Sequence, residues 1–225
     1  MVLVPRDKNI VVVDYHKGNL SSVLRSVAEA GGNASIEDDP KRIAAADGIV
    51  VPGVGALEDA MDYLNGSGQA EALKKAVSQG VLFLGICLGL HVLFERGNER
   101  SQDHEGSEWV AALGLEKGSI TKLESTRMKV PHVGWDQIHL TEAGKNSKLF
   151  SGVADGSNVY FTHSYATSDD INPATVLAQT HYTRSFASAI AEDNIFGVQF
   201  HPEKSSATGL KILSNFVHMV ERGRS

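Results

Sequence analysis

Val81-Leu82-Phe83-Leu84-Gly85-Ile86-Cys87-Leu88-Gly89 passes from a buried strand into the start of a helix. Val81 to Ile86 is apolar except for Gly85, which is the pattern of a strand covered on both faces. Strands of that kind belong to parallel sheets with helices on either side. Gly85 and Gly89 flank Cys87 at alternate positions. This is a cysteine version of the nucleophile elbow, a tight strand-to-helix turn that holds one side chain out in a strained position. The helix N-terminus would favour a thiolate, and the Leu88 N–H could donate to a developing oxyanion. A structural alternative stands beside it: glycines for close helix–strand packing and cysteine as a small apolar filler.

Upstream, the chain repeats the strand–helix alternation. Ile10-Val11-Val12-Val13 is a buried-strand run. Asn19 can cap a helix carrying Leu20, Val23, Leu24, Val27 and Ala28, which Gly31-Gly32 ends. Asp39-Pro40 reads as a second helix start, and Gly48 to Val51 as a further strand. Gly66-Ser67-Gly68 reads as a turn between short helices, and Glu71 to Ser78 as a helix stopped by Gly80. In folds of this kind ligands sit at the carboxyl ends of the strands, here Pro52 to Gly55, Cys87, and Gln199 to Glu203.

Downstream the pattern changes. Gly118–Leu123, Gly134–Leu140, Asn158–Ser164, Thr175–Tyr182 and Phe186–Glu192 follow one another with turn residues between. They predict an antiparallel section on one side of the sheet. Ile195 to Phe200 rejoins the sheet, and a last helix spans about 207–221 with Leu210, Leu213, Val217 and Val220 facing inward. The charged stretch from Asn98 to Gly106 reads as a solvated loop. The fold expected is α/β: a central mixed, mostly parallel sheet with helices on both faces and an antiparallel strand section. One domain over 1–225 is expected, with about 1–8 as an N-terminal extension.

Composition narrows the function. Across 225 residues, 42% are hydrophobic and 21% charged, which is ordinary for a globular chain. A net charge of −6 argues against a nucleic-acid partner. No apolar run approaches the roughly 18 residues that span a bilayer, and Met1 to Asn9 lacks a signal-peptide stretch, so a cytoplasmic protein is expected. Cys87 is the single cysteine, which excludes an internal disulfide and a multi-cysteine metal site.

Gly197-Val198-Gln199-Phe200-His201-Pro202-Glu203 supplies a second chemical element. Pro202 stops the strand and holds His201 extended. His201 and Glu203, two apart on such a segment, can share one side, so the carboxylate holds one imidazole nitrogen while the other faces a thiol. An isolated histidine among nine would carry little weight; joined to the elbow it does. The third element is Pro52-Gly53-Val54-Gly55, a loop whose backbone can approach a ligand closely. A phosphate-binding turn is the competing reading, but it lacks a third glycine and a Lys-Ser/Thr ending.

Together, G-x-C-x-G at 85–89 and H-P-E at 201–203 resemble the class I (triad) glutamine amidotransferases. Pro52 to Gly55, Lys129 to Trp135, Tyr160 to Tyr165, and Asp14-Tyr15 with Gly18-Asn19-Leu20 narrow the resemblance to the glutaminase subunits of imidazole glycerol phosphate synthases. It covers about residues 9–219. It implies hydrolysis of glutamine to glutamate and ammonia by Cys87, His201 and Glu203, without cofactor or metal. It implies an oxyanion hole at Gly53, Val54 and Leu88, and glutamine contacts at Gly55, His91, Ser164 and Tyr165. It also implies a heterodimer with a (β/α)8-barrel cyclase subunit that uses the ammonia in histidine biosynthesis. Such barrels need about 250 residues of their own, so the partner is a separate chain. Lys204 is an interface candidate, with a plain solvated lysine as the equal alternative.

One position departs from the family. Glutamine usually stands four residues after the cysteine, and here it is His91. His91 is expected to substitute for that glutamine; weaker glutamine binding and altered chemistry are the other readings. Other functions compatible with parts of the pattern are a paralogous amidotransferase subunit feeding a different synthase, a γ-glutamyl hydrolase, a regulatory subunit without turnover, and an α/β binding module with a buried cysteine.

Overall fold

The computed structural model describes residues 8–100 and 108–223. The expected extension up to residue 7 and the expected loop from 101 to 106 lie outside them. In chain order the first half runs β1 (Asn9–Val13), α1 (Leu20–Glu29), β2 (Asn33–Glu37), α2 (Pro40–Ala44), β3 (Gly48–Gly53), α3 (Leu57–Ser67), α4 (Gln69–Ser78), β4 (Leu82–Cys87) and α5 (Leu88–His91). The second half runs β5 (Arg96–Gly97), β6 (Val110–Ala111), β7 (Ser119–Lys122), β8 (His132–Leu140), α6 (Glu142–Asn146), β9 (Ser157–His163), β10 (Tyr165–Thr167), β11 (Val176–His181), β12 (Ser185–Glu192), β13 (Ile195–Val198) and α7 (Ser206–Arg222).

Nine strands form the main sheet in the order β2-β1-β3-β4-β13-β12-β11-β8-β9. The five from β2 to β13 are parallel, and from β13 to β9 each pair is antiparallel. A second sheet pairs β10-β7-β5-β6. The mixed α/β architecture expected from the sequence is therefore present.

Why the parallel strands read as unbroken apolar runs is visible in the packing. Val12, Val50, Leu84 and Ile86 point to one face, where Val23 and Val27 of α1 meet Ile212, Leu213, Phe216 and Val217 of α7. Val11, Val13, Ile49, Val51 and Phe83 point to the other, against Leu57 and Leu64 of α3 and Leu73 of α4. Alternation gives two cores because both faces are covered. In α7, Leu210 is only half-buried, and Ile212 and Phe216 join Leu213, Val217 and Val220 inside.

Local signals act as read. The Asn19 side chain accepts the Ser22 N–H at 3.2 Å, and Asp39 accepts the Lys41 N–H at 2.9 Å with Pro40 in the first turn. Several features differ. Residues 118–123, expected in the antiparallel section beside the main sheet, supply β7 of the second sheet, where it pairs parallel with β5, and β5, β6 and β10 have no counterpart in the sequence reading. Gly66 and Ser67 belong to α3, and only Gly68, at φ +80°, makes the break before α4. The strand β2 has no counterpart in the sequence reading: it is short, every one of its residues stays at least partly exposed at the sheet edge, and its apolar alternation rests on Ala34 and Ile36 alone.

Register brings the three functional segments together. Gly53 at the end of β3 pairs with Cys87 at the end of β4, and Val198 of β13 pairs with Ile86. Gln199 to His201 therefore emerge beside Cys87. A side chain at Gly89 would run into the Val51 carbonyl oxygen, and one at Gly85 into the Gly89 carbonyl oxygen. Gly89→Ala should lower stability by about 3 kcal/mol or prevent folding. Gly66→Ala, where nothing lies within 4 Å, should raise it by up to about 1 kcal/mol. Urea denaturation of the two variants checks both.

Candidate active site

Cys87 stands at φ 54° and ψ −106°, a left-handed backbone that side chains rarely adopt. The elbow is thus a strained one. Its following helix is a single turn, Leu88–His91. The expected dipole of a full helix is therefore small here, and the charge on the sulfur is set by side chains instead.

His201 lies beyond β13, extended at φ −99° and ψ 97° as a residue before proline should be. Its backbone N–H donates to the Tyr160 carbonyl at 2.9 Å. The Ser205 hydroxyl donates to the His201 carbonyl at 2.6 Å and accepts the Tyr160 N–H at 3.0 Å. Glu203 does not sit along an extended strand with His201. Pro202–Lys204 form one 3-10 turn, which folds the carboxylate back so that Oε1 accepts from His201 Nδ1 at 2.8 Å. Nδ1 is then the protonated nitrogen. Among the described residues, His201 Nε2 is buried and makes no hydrogen bond of standard geometry.

Electrostatics links the two residues. Burial opposes charge on His201, but the Cys87 thiolate and the Glu203 carboxylate outweigh it and raise the imidazole to about 10. Burial likewise pushes the Cys87 thiol up, but the adjacent His201 imidazole and its charge, then the His91 charge, bring it below the ordinary thiol range against an opposing effect of Glu99. The site favours a thiolate–imidazolium pair.

A cavity of about 260 Å³ opens in front of the sulfur. Of the residues singled out in the sequence, Val54, Gly55, Cys87, Leu88, His91, Ser164 and Tyr165 line it. Gly53 does not. It stays in the β3–β4 ladder, where any side chain would overlap the Tyr15 hydroxyl. Tyr15 is fully buried, and burial raises its phenol far above the ordinary range. A Cβ on Gly18 would sit 3.2 Å from the Gly53 Cα. The Asp14–Leu20 segment thus buttresses the Pro52–Gly55 loop. Lys204 is exposed outside the cavity, with its Nζ 5.7 Å from the centre of the Tyr160 ring.

Four further residues line the cavity: Pro131, Thr162 and His163, which lie in the motifs at 129–135 and 160–165 without an assigned role, and Glu99, which no sequence signal marks. Glu99 falls in the stretch read as a solvated loop, yet its side chain is only 17% exposed and lies 3.8 Å from His91 Nδ1. It is the only carboxylate that lines the cavity among the described residues. His163 Nδ1 donates to the Tyr165 carbonyl at 2.8 Å. Burial foremost, with nearby His132, keeps its imidazole neutral, down to about 3. Gln199 is fully buried behind the sulfur, between Cys87 and His91. Among the described residues no three His, Cys, Asp or Glu side chains group as a metal ion would require.

Residues 11–220 match the glutamine amidotransferase class-I family. The chain belongs to that family. Among similar proteins, the imidazole glycerol phosphate synthase subunit HisH of Nostoc punctiforme is 42% identical over 213 residues, 94% of this chain and 96% of that one. The protein of the same name from Halobacterium salinarum is 44% identical over 214 residues, 94% of each chain. Two solved structures share the fold at low identity. The glutaminase domain of Trypanosoma brucei CTPS with bound acivicin superposes at TM-score 0.67 with 16% identity, covering 97% of this chain and 95% of that one. PurLQS from Thermotoga maritima does so at 0.65 with 17% identity, covering 94% and 98%.

In this class I amidotransferase, alkylation of Cys87 by iodoacetamide should have its pH midpoint below the ordinary thiol value of about 8.5. His201→Ala removes the strongest lowering influence. The midpoint should then rise by about one to two pH units. The rate–pH profile of the two proteins measures this.

Proposed function

We propose that the chain is the glutaminase subunit of an imidazole glycerol phosphate synthase. It hydrolyses glutamine to glutamate and ammonia, and the ammonia goes to a cyclase subunit in histidine biosynthesis. The observation that carries the chemistry is the strained Cys87 facing the His201–Glu203 pair, itself joined at 2.8 Å. Likeness to HisH proteins at 42% and 44% identity over nearly the whole length supports the pathway and weighs against a different synthase.

The Cys87 thiolate attacks the carboxamide carbon of glutamine. The C–N bond breaks, the imidazolium of His201 gives its proton to the leaving nitrogen, and a thioester remains. His201 then takes a proton from water as the water attacks that thioester, and glutamate leaves. Glu203 holds the imidazole by Nδ1 and offsets its charge. Backbone N–H groups of Val54 and Leu88 are assigned to the developing oxyanion, with Gly53 allowing the loop to come close. Glu99 suits the α-ammonium of glutamine. Ser164 and Tyr165, with Gly55 and His91, would hold the rest of its amino-acid end.

The partner is proposed to be a (β/α)8-barrel cyclase. In bulk water at neutral pH ammonia is mostly protonated and no longer a nucleophile, so transfer must be shielded. Val54 lines the cavity, and Val54, Val133 and Trp135 are exposed, at 43%, 56% and 54%. Trp135 meets Tyr160 edge-on at 6.1 Å, and Lys204 reaches the same ring. An exposed apolar group with a cation at its edge suits a protein interface. A catalytic thiol also suits the reducing cytoplasm. Among the described residues no helix is long and apolar enough to cross a membrane.

Glutamate release by the purified chain, measured alone and with the cyclase loaded with its ribonucleotide ligand, tests the proposal. Strong stimulation by the loaded partner is expected, and absence of turnover in both conditions would overturn it. Cys87→Ala should abolish glutamate release while partner binding and ammonia-dependent cyclisation persist. Trp135→Ala should weaken partner binding by about 30-fold or more, as loss of a buried aromatic anchor does, measured by titration calorimetry.

A further inference from the structure

Besides His201, a second set of buried polar groups leads to the sulfur. Gln199 Nε2 lies 3.7 Å from Cys87 Sγ, within reach of an N–H···S bond. Gln199 Oε1 lies 2.9 Å from His91 Nε2. His91 Nδ1 lies 3.8 Å from Glu99 Oε2. Gln199 and His91 are 0% and 3% exposed, so water does not compete freely for these contacts.

Donor and acceptor logic restricts this chain of contacts. Glu99 lies at ion-pair rather than hydrogen-bond distance from His91 Nδ1, and its negative charge favours a proton on that nitrogen. If Nε2 were bare, it would accept from the Gln199 amide NH2. The amide would then turn its oxygen toward the sulfur, which repels a thiolate. If Nε2 also carries a proton, it donates to Gln199 Oε1 and the NH2 must face the sulfur. Both ring nitrogens protonated is an imidazolium, and its positive charge lies next to the pair it organises. Glutamine at position 91 could give the same N–H to Gln199 but no charge.

We propose that Glu99, His91 and Gln199 form a second relay to the nucleophile, in which His91 sets the orientation of the Gln199 amide and Gln199 donates a hydrogen bond to the Cys87 thiolate. His91 and Gln199 are positioning residues in this arrangement. The relay rests on the reading of Cys87 as the nucleophile. Among the described residues the other titratable groups around the sulfur are His201 with Glu203, and His163, Tyr15 and Tyr165, which burial holds neutral. In keeping with the relay, Glu99 and the charge of the thiolate raise His91 above its ordinary value against the opposing effect of burial.

Cys87 is the only cysteine in the chain, so iodoacetamide reports on a single thiol. The pH midpoint of alkylation is measured for the wild-type chain, His91→Leu, His91→Gln, Gln199→Met and the double variant His91→Leu/Gln199→Met, with far-UV circular dichroism as a check on folding. His91→Leu is expected to raise the midpoint by about one pH unit, the scale of one hydrogen bond to an ion. His91→Gln should recover most of that shift, because its amide N–H can still orient Gln199. Gln199→Met should match His91→Leu, and the double variant should add little to either. An unchanged midpoint in His91→Leu overturns the relay. So does a His91→Gln midpoint as high as that of His91→Leu, which would mean that charge alone acts through space. If Gln199→Met does not fold, the His91 pair decides by itself. Failure of the nucleophile reading would show elsewhere, as glutamine turnover that survives Cys87→Ala.

Discussion

A cysteine held at a left-handed backbone angle is the constraint on which the site depends. Nothing about Cys87 favours φ 54° by itself. The angle persists because the surrounding backbone is packed too closely to allow another. Gly89 lies against the Val51 carbonyl, Gly85 against Gly89, and Gly53 against the Tyr15 hydroxyl. Each contact is open only to a residue without a Cβ. Strain at the thiol is therefore sustained by neighbouring strands and a buried phenol, and it lifts the sulfur clear of the sheet toward the cavity.

Charge is handled in the same place by side chains. Two Glu–His pairs act on the sulfur: Glu203 with His201, and Glu99 with His91. The one-turn α5 offers little dipole. A single buried thiolate would be costly, and the two imidazoles make it tolerable. Meanwhile His163 and Tyr15, also near the sulfur, are kept neutral by burial. Burial thus acts in opposite senses on neighbouring groups, depending on whether a partner of opposite charge is in reach.

Much of this is legible in the sequence because the signals are local. The apolar runs at 10–13, 48–51 and 81–86 mark strands covered on both faces, and the glycines around Cys87 mark the elbow. Pro202 marks where the strand ends and why His201 is extended. What stays hidden depends on distance in the fold. Edge strand β2 pairs with β1 and packs only Ala34 and Ile36 on the core, both partly exposed, which is a weak signal in five residues. Glu99 looks like one more charge in a charged loop, and only tertiary packing brings it to His91. Gln199 reads as an ordinary strand residue. Its contacts to Cys87 and His91 span 112 and 108 residues of chain, which no local pattern encodes. The fold-back of Glu203 escapes the sequence because a 3-10 turn and an extended segment can each bring an i, i+2 pair together.

The β8–β9 hairpin has a mechanical consequence. Trp135 pairs with Tyr160 and Val133 with Thr162. The Tyr160 carbonyl receives the His201 N–H, and the Thr162 carbonyl lies 3.9 Å from the Cys87 sulfur. Two carbonyls of one strand, about 6.6 Å apart along it, therefore touch both the base and the nucleophile. The strand acts as a gauge for the gap between them. Its other edge of influence is the exposed face carrying Trp135 and Val133. A partner seated on that face would therefore rest on the same hairpin whose carbonyls contact the base and the nucleophile.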